Sequence, residues 1–212
     1  CLRLCTSAGE ALPRELHERW LDTFGVEVLD GIGSSELYHI YISNRPGRAR
    51  PGSTGELVPG YEAELGENGE LLVTGDTAAL LYWGDEEKTG RTFSGDTVRT
   101  GDLFERDDEG FFWYRGRADD LIKVGGMWVA PAEIEHCLVG HPDVIECAVV
   151  GAQRNGLTVP RAYVVARAPL EERAVQDFVR ERLSPHKYPR EVRFVDDLPK
   201  TPSGKIDRKA LT

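Results

Sequence analysis

Gly116-Arg117-Ala118-Asp119-Asp120-Leu121-Ile122-Lys123-Val124-Gly125-Gly126 is the stretch across which the chain changes character. Upstream, residues 44–115 are punctuated by Pro46, Pro51, Pro59 and many glycines, which separate short β-rich runs at 55–58, 70–74, 102–106 and 111–114. That pattern predicts a small β-barrel or sheet subdomain. Downstream, apolar spacing predicts a helix over 131–139, strands over 144–150 and 162–167, a helix over 171–183 and a strand over 192–195. Roughly 95 residues of α+β structure are enough for an autonomous unit. The polar residues 116–120 place the boundary, giving domains 1–116 and 117–212.

Further upstream, Leu2-Arg3-Leu4-Cys5 alternates like a strand. Leu12, Leu16, Trp20, Leu21 and Phe24 recur at helical spacing between Pro13 and Gly25, and a strand over 26–29 follows. Strand–helix–strand order predicts the edge of a parallel α/β sheet, whose loops beyond the strand ends carry ligands. Gly31-Ile32-Gly33-Ser34-Ser35-Glu36 reads as such a loop.

The net charge of −10 has no compensating Lys/Arg run, which argues against nucleic acid or an anionic membrane surface as partner. Cys1, Cys5, Cys137 and Cys147 fit neither a paired zinc site nor a disulfide framework, so a reducing cytoplasm is the expected compartment. No apolar run approaches the roughly 20 residues that span a bilayer. His17, His39, His136, His141 and His186 lack zinc-ligand spacing, and Ser34 and Ser35 lack the GxSxG elbow of a hydrolase nucleophile. Cys1 is not an initiator methionine, and the chain is expected to be part of a longer protein.

Ser7-Ala8-Gly9-Glu10-Ala11 and Ile32-Gly33-Ser34-Ser35-Glu36 each have a plain reading as turns and caps. They also supply backbone glycines, hydroxyls for a phosphate and a carboxylate for Mg²⁺. Asp102, in Arg99-Thr100-Gly101-Asp102-Leu103, either caps backbone amides or grips ribose hydroxyls. Arg117 and Asp119 could form a surface ion pair worth about 0–1 kcal/mol. Gly125-Gly126 interrupts an apolar run, which a bulge or a thin ligand would explain. Lys205 lies between the prolines and glycine of Pro199-Lys200-Thr201-Pro202-Ser203-Gly204-Lys205-Ile206-Asp207-Arg208, as suits a cation on a mobile element. The Ser-Gly-Lys there lacks P-loop context. His39 is equally readable as a core residue or as lining a pocket.

In this order, the Arg99, Gly116 and Pro199 motifs, with Glu133-Ile134-Glu135, resemble the acyl-adenylate-forming superfamily. Asp30-Gly31-Ile32-Gly33-Ser34-Ser35-Glu36-Leu37-Tyr38-His39-Ile40-Tyr41-Ile42-Ser43-Asn44 and Lys123-Val124-Gly125-Gly126-Met127-Trp128-Val129 are most similar to benzoate–CoA ligase and other aryl-CoA synthetases. The resemblance implies the end of a large α/β domain with its β-rich subdomain, followed by a small mobile α+β lid. It implies an ATP- and Mg²⁺-dependent ligase that converts a carboxylic acid to an acyl adenylate and then to a CoA thioester.

By the same resemblance, Lys205 is catalytic, bridging the carboxylate and the α-phosphate. Gly9, Glu10 and Ala11 contact the adenine, as does part of the nucleotide-binding stretch Asp30, Gly31, Ile32, Gly33 and Ser34; Ser35 reaches the α-phosphate, and Glu36 binds Mg²⁺. Asp102 holds the ribose, and Arg117 the nucleotide hydroxyls or phosphates. Ile32, Gly33 and His39 border the acyl pocket, Gly125 and Gly126 meet pantetheine, and Asp119 is the hinge.

The family's phosphate loop would lie upstream of Cys1, so this stretch alone is not expected to form the adenylate. The segments 61–69, 154–156 and 168–170 are shorter than the family pattern, either because the loops are trimmed or because residues are missing from the sequence. A carrier-protein-loading adenylation domain and a non-catalytic nucleotide-binding module remain rival readings. Oligomeric state is open.

Overall fold

In the computed structural model, which describes residues 1–202 and 204–212, the chain begins with strand β1 (Cys5–Ser7) and helix α1 (Arg14–Phe24). Ser203, in the lysine-bearing stretch, lies outside the described residues. Pro13 presets the backbone before α1 with φ −60°. Gly25, at φ 63°, closes the helix by donating its N–H to the Leu21 carbonyl. Strand β2 (Val28–Gly33) then pairs in parallel with β1, Cys5 opposite Val28. The expected strand–helix–strand order is present. The first strand starts at Cys5, however, and Leu2 and Leu4 are exposed. Alternation alone did not locate it, because the register with Val28–Asp30 sets where pairing begins.

β2 also runs further than expected and takes in Gly31, Ile32 and Gly33, which the sequence reading placed in a loop. The cause is antiparallel pairing with β3 (Ile40–Ser43), with Ile32 opposite Ile42 and Gly33 opposite Ile40. A Cβ on Gly33 would stand 2.3 Å from the His39 carbonyl oxygen, so only glycine allows this approach. Strand β4 (Glu56–Leu57) completes a sheet of order β1-β2-β3-β4.

Next come β5 (Tyr61–Leu65), β6 (Glu70–Gly75), α2 (Glu86–Thr92), β7 (Phe93–Ser94), β8 (Thr97–Arg106) and β9 (Phe112–Arg117). The five strands form an antiparallel sheet of order β5-β6-β8-β7, with β9 on β8. Alternate residues Leu71 and Val73 of β6 join Leu37, Tyr41, Ile42, Val98, Phe104 and Phe112 in one buried cluster. The short 61–69 segment closes as a turn, the Gly66 N–H bonding the Glu70 carbonyl at 2.9 Å.

The chain folds as two compact units, Cys1–Ala118 and Asp119–Thr212. The division falls after Ala118 rather than Gly116, since Arg117 is still a β9 residue opposite Asp102. The second unit contains β10 (Ile122–Val124), β11 (Met127–Val129), α3 (Pro131–Val139), β12 (Val144–Arg154), β13 (Leu157–Ala166), α4 (Glu172–Arg180) and β14 (Glu191–Phe194). β12 and β13 are antiparallel, and β14 runs parallel to β13. Ile122, Val124 and Val129 pack with Ile134 and Leu138 of α3, Val175 and Val179 of α4, and the inner residues of β12 and β13. Asn155 and Gly156, at φ 52° and 76°, turn β12 into β13 in the two-residue geometry such dipeptides favour.

Candidate active site

The two glycines expected to interrupt a strand instead make a hairpin turn. Gly125 and Gly126 sit at φ 55° and 88° between β10 and β11, pairing Val124 with Met127. The turn is exposed, and nothing lies within 4 Å of a Cβ built on either residue. Beside it, Trp128 is also exposed, with Lys123 Nζ 5.5 Å from its ring centre.

In the first unit, strands β8 and β9 place Asp102 opposite Arg117. Arg117 Nη1 donates to the Thr100 carbonyl at 3.0 Å and to Asp102 Oδ1 at 3.2 Å. Thr100 Oγ1 in turn accepts the Asp102 N–H at 3.1 Å and donates to the Leu71 carbonyl at 2.8 Å. Gly101, at φ 70°, lies under the guanidinium, and a Cβ there would stand 2.9 Å from Arg117 Nη2. The ion pair considered between Arg117 and Asp119 is replaced by this one, because antiparallel register brings Asp102 across from Arg117. Asp119 is exposed, in the 3-10 turn Ala118–Asp120 whose other two residues are half-buried.

Glu36 follows β2 after two serines. Its Oε1 accepts a hydrogen bond from the Tyr82 hydroxyl at 2.5 Å. Burial pushes the Glu36 carboxyl upward in pKa, but the Tyr82 bond, its own backbone, the Ser34 hydroxyl and the Lys88 charge outweigh it and hold the group below its ordinary value. Ser34 Oγ is close enough to act on Glu36 yet makes no hydrogen bond of normal geometry. Tyr41 of β3 is fully buried, with its hydroxyl unpartnered. Burial, then the Asp102 charge, push the Tyr41 phenol upward, with Arg117, Glu36 and Tyr114 also acting on it. Glu36, Asp102 and Arg117 are thus brought to one neighbourhood, around Tyr41 and Tyr82.

Asp30 is buried on β2. Its backbone carbonyl accepts the Asn44 N–H at 2.8 Å, its Oδ2 accepts the Leu12 N–H at 3.4 Å, and its Oδ1 has no partner. Burial raises its pKa to about 6, against the opposing bonds of Leu12, Ser7 and Gly31. Gly9, Glu10 and Ala11 form the loop after β1, next to that Leu12 amide. Ser35 and His39 are exposed in this chain.

In the second unit, Lys205 is exposed after Gly204 at φ 86°, and its carbonyl accepts the Thr201 N–H at 2.7 Å. The buried Glu135 of α3 accepts the Val149 N–H at 2.6 Å and Arg208 Nη2 at 2.7 Å. Burial pushes its carboxyl upward in pKa, opposed by Arg208 and that amide.

Tyr41 and Tyr82 escaped the sequence reading. An aromatic in a β-run signals core, and Tyr82 had only Asp85, the cap of α2, as a local cue. Among the described residues, no three or more His, Cys, Asp or Glu gather as a metal cage, and no helix is long and apolar enough to cross a membrane.

Comparison with known proteins bears on both units. The sequence profile of AMP-binding enzymes matches residues 1–84, and that of the AMP-binding enzyme C-terminal domain matches residues 133–205. Benzoate–CoA ligase of Thauera aromatica is 44% identical over 227 aligned positions, covering 99% of this chain and 43% of that protein. A 4-hydroxybenzoate–CoA/benzoate–CoA ligase of Rhodopseudomonas palustris is 41% identical, over 99% of this chain and 42% of its own. Among solved structures, benzoate CoA ligase from Burkholderia xenovorans superposes with a TM-score of 0.92 at 49% identity, over 99% of this chain and 45% of that one. The anthranilate CoA ligase AuaEII in complex with anthranoyl-AMP gives 0.94 at 44% identity, over 99% and 44%. The chain therefore spans less than half the length of these relatives. The 227 aligned positions outnumber its 212 residues, so the Thauera protein carries residues this chain lacks. With one profile matching within each of the two units, the chain belongs to the AMP-binding enzyme family.

Proposed function

We propose that the chain is the nucleotide-holding and lysine-bearing part of an AMP-forming aryl-acid–CoA ligase. In this reading a carboxylate attacks the ATP α-phosphate and displaces pyrophosphate. The CoA thiol then attacks the acyl carbon of the adenylate and AMP leaves. The observation that carries the reading is the Asp102–Arg117 pair braced by Thr100. A carboxylate and a guanidinium held side by side suit ribose hydroxyls and phosphate oxygens together.

Two anions must meet in the first step, and the Lys205 ammonium would offset that charge where the carboxylate approaches the α-phosphate. Ser35 would touch the α-phosphate, Gly9, Glu10, Ala11 and residues 30–34 the adenine, and Ile32, Gly33 and His39 the acyl group. Glu36 fits Mg²⁺, since it is held ionised by Tyr82 and a single carboxylate suffices for an ion bound mainly through substrate phosphates and water. Asp119 would serve as pivot, withdrawing Lys205 and bringing Gly125-Gly126 to pantetheine for the second step.

The similarity to benzoate and anthranilate ligases supports an aryl acid, and the Lys123–Val129 stretch supports CoA over a carrier protein. The test is AMP release over a panel of carboxylic acids, with and without CoA, in the protein extended to the length of its relatives. CoA-dependent turnover with benzoate-like acids is expected. Exchange without CoA transfer would redirect the reading to a carrier protein, and no exchange with any acid would overturn it.

A further inference from the structure

The segment carrying Lys205 is fastened to its own unit on both sides. Lys200 and Ile206 form an antiparallel bridge, and the Asp207 N–H bonds the Pro199 carbonyl at 2.8 Å. Ile206 packs beside Leu198, Leu211 and Tyr163, whose hydroxyl donates to the Leu211 carbonyl at 2.8 Å. The Asp207 carboxylate caps the 3-10 turn Arg208–Leu211 by accepting the Lys209 and Ala210 amides. These bonds fix the path of the backbone but do not tie the segment to the hinge turn.

Arg208 does. Its Nη2 donates to Glu135 Oε2 at 2.7 Å, and its Nε faces Asp120 Oδ2 at 3.5 Å. Glu135 is 9% exposed and holds the Val149 amide of β12 with its other oxygen, so this arm of the fork ends in the core. Asp120 belongs to the 3-10 turn Ala118–Asp120, next to Asp119. A guanidinium is planar, and two carboxylates held at different edges fix its orientation as a single point charge would not. A buried carboxylate needing a counter-charge accounts for the Glu135 arm alone. The Asp120 side chain is 40% exposed and water would serve it equally well, so its engagement asks for another reason.

We propose that Arg208 is a positioning residue for Lys205, and that the Asp120–Arg208–Glu135 clasp makes the lysine segment one rigid piece with the chain that follows the Asp119 pivot. Movement at Asp119 then carries the lysine in or out as a body. This rests on the roles given above to Lys205 and Asp119.

The test has two parts. In this chain, amide hydrogen exchange is followed over residues 118–121 and 200–207 for Arg208→Gln and Asp120→Asn. The second variant removes only the exposed arm and leaves the buried pair, so it keeps the unit folded if the first does not. In the protein extended to the length of its relatives, acid-dependent ATP–pyrophosphate exchange is compared with thioester formation from supplied acyl adenylate, with Lys205→Ala alongside. We expect both variants to speed amide exchange in the two segments together. Arg208→Gln should lower adenylation about 10- to 100-fold, the scale of a misplaced catalytic group, and thioester formation less than about threefold.

Faster exchange in one segment alone, or in neither, overturns the clasp, as does an equal loss in both half-reactions. If Lys205→Ala itself shows no selective loss, the lysine's catalytic role falls, while amide exchange still decides whether the clasp exists.

Discussion

The Tyr82 hydroxyl donates to Glu36 Oε1 at 2.5 Å, joining a residue three positions before the α2 cap to the carboxylate that follows β2. This bond is one of the causes that keep Glu36 ionised against its burial. Tyr82→Phe keeps the ring, which packs on Phe93, and removes the donor. The expected outcome is a higher Mg²⁺ requirement for ATP–pyrophosphate exchange and a rate lower by about tenfold, the worth of one hydrogen bond to a charged group. An unchanged Mg²⁺ titration would count against the assignment of Glu36.

Gly101 is favoured by its positive φ of 70°, and the Arg117 guanidinium, 2.9 Å from where a Cβ would stand, would have to shift for any larger residue. Gly101→Ala should destabilise the first unit by about 1–2 kcal/mol through backbone conformation alone, and it should displace Arg117 from Asp102. Urea unfolding reads the first effect and a raised KM for ATP the second. A stable variant with an unchanged KM would show that the pair is not needed for nucleotide binding.

Asp30 gives a pH dependence whose sign is fixed. Its folded pKa of about 6 stands above the ordinary 3.8, so the native state holds a proton that the unfolded chain gives up. The stability it contributes is complete below pH 3.8, falls as pH rises towards 6 and levels off above that. The whole effect is on the order of 3 kcal/mol. Asp30→Asn should remove this fall, so its stability relative to the parent rises from pH 4 to pH 7. Parallel unfolding curves for the two proteins across that range would contradict the burial argument.

Glu135→Ala leaves Arg208 without its buried partner and the Val149 amide without an acceptor. Loss of one member of a buried pair costs about 3–5 kcal/mol, and the loss should appear in the unfolding of the second unit, read by thermal melting. A shift of the melting point too small to measure would mean that water replaces the carboxylate.

The helices that the sequence announced were those with an apolar period, although no side chain caps them. Pro131 at the first turn and Ile134 and Leu138 on one side gave α3 its bounds, Pro131–Val139. By contrast, α2 buries no residue and so leaves no apolar period, although Asp85 caps it by accepting the Lys88 amide. β3 was hidden because Ile40–Ser43 pairs with glycines of β2, which read as a loop. In the site, Glu36, Asp102 and Arg117 stood in recognisable motifs. Tyr41 and Arg208 stood in quoted stretches too, but without a role, since Tyr41 is placed by the register of β3 and Arg208 by a contact 73 residues distant in the chain.

The most direct test of the account is Lys205→Ala in the protein extended to the length of its relatives, with the two half-reactions measured separately. The account predicts that acid-dependent ATP–pyrophosphate exchange falls by about 10²- to 10³-fold, the loss typical of a group that stabilises transition-state charge. Thioester formation from supplied acyl adenylate should stay within about threefold, since in that step the lysine has been withdrawn. Equal loss in both half-reactions, or none in the first, would contradict it.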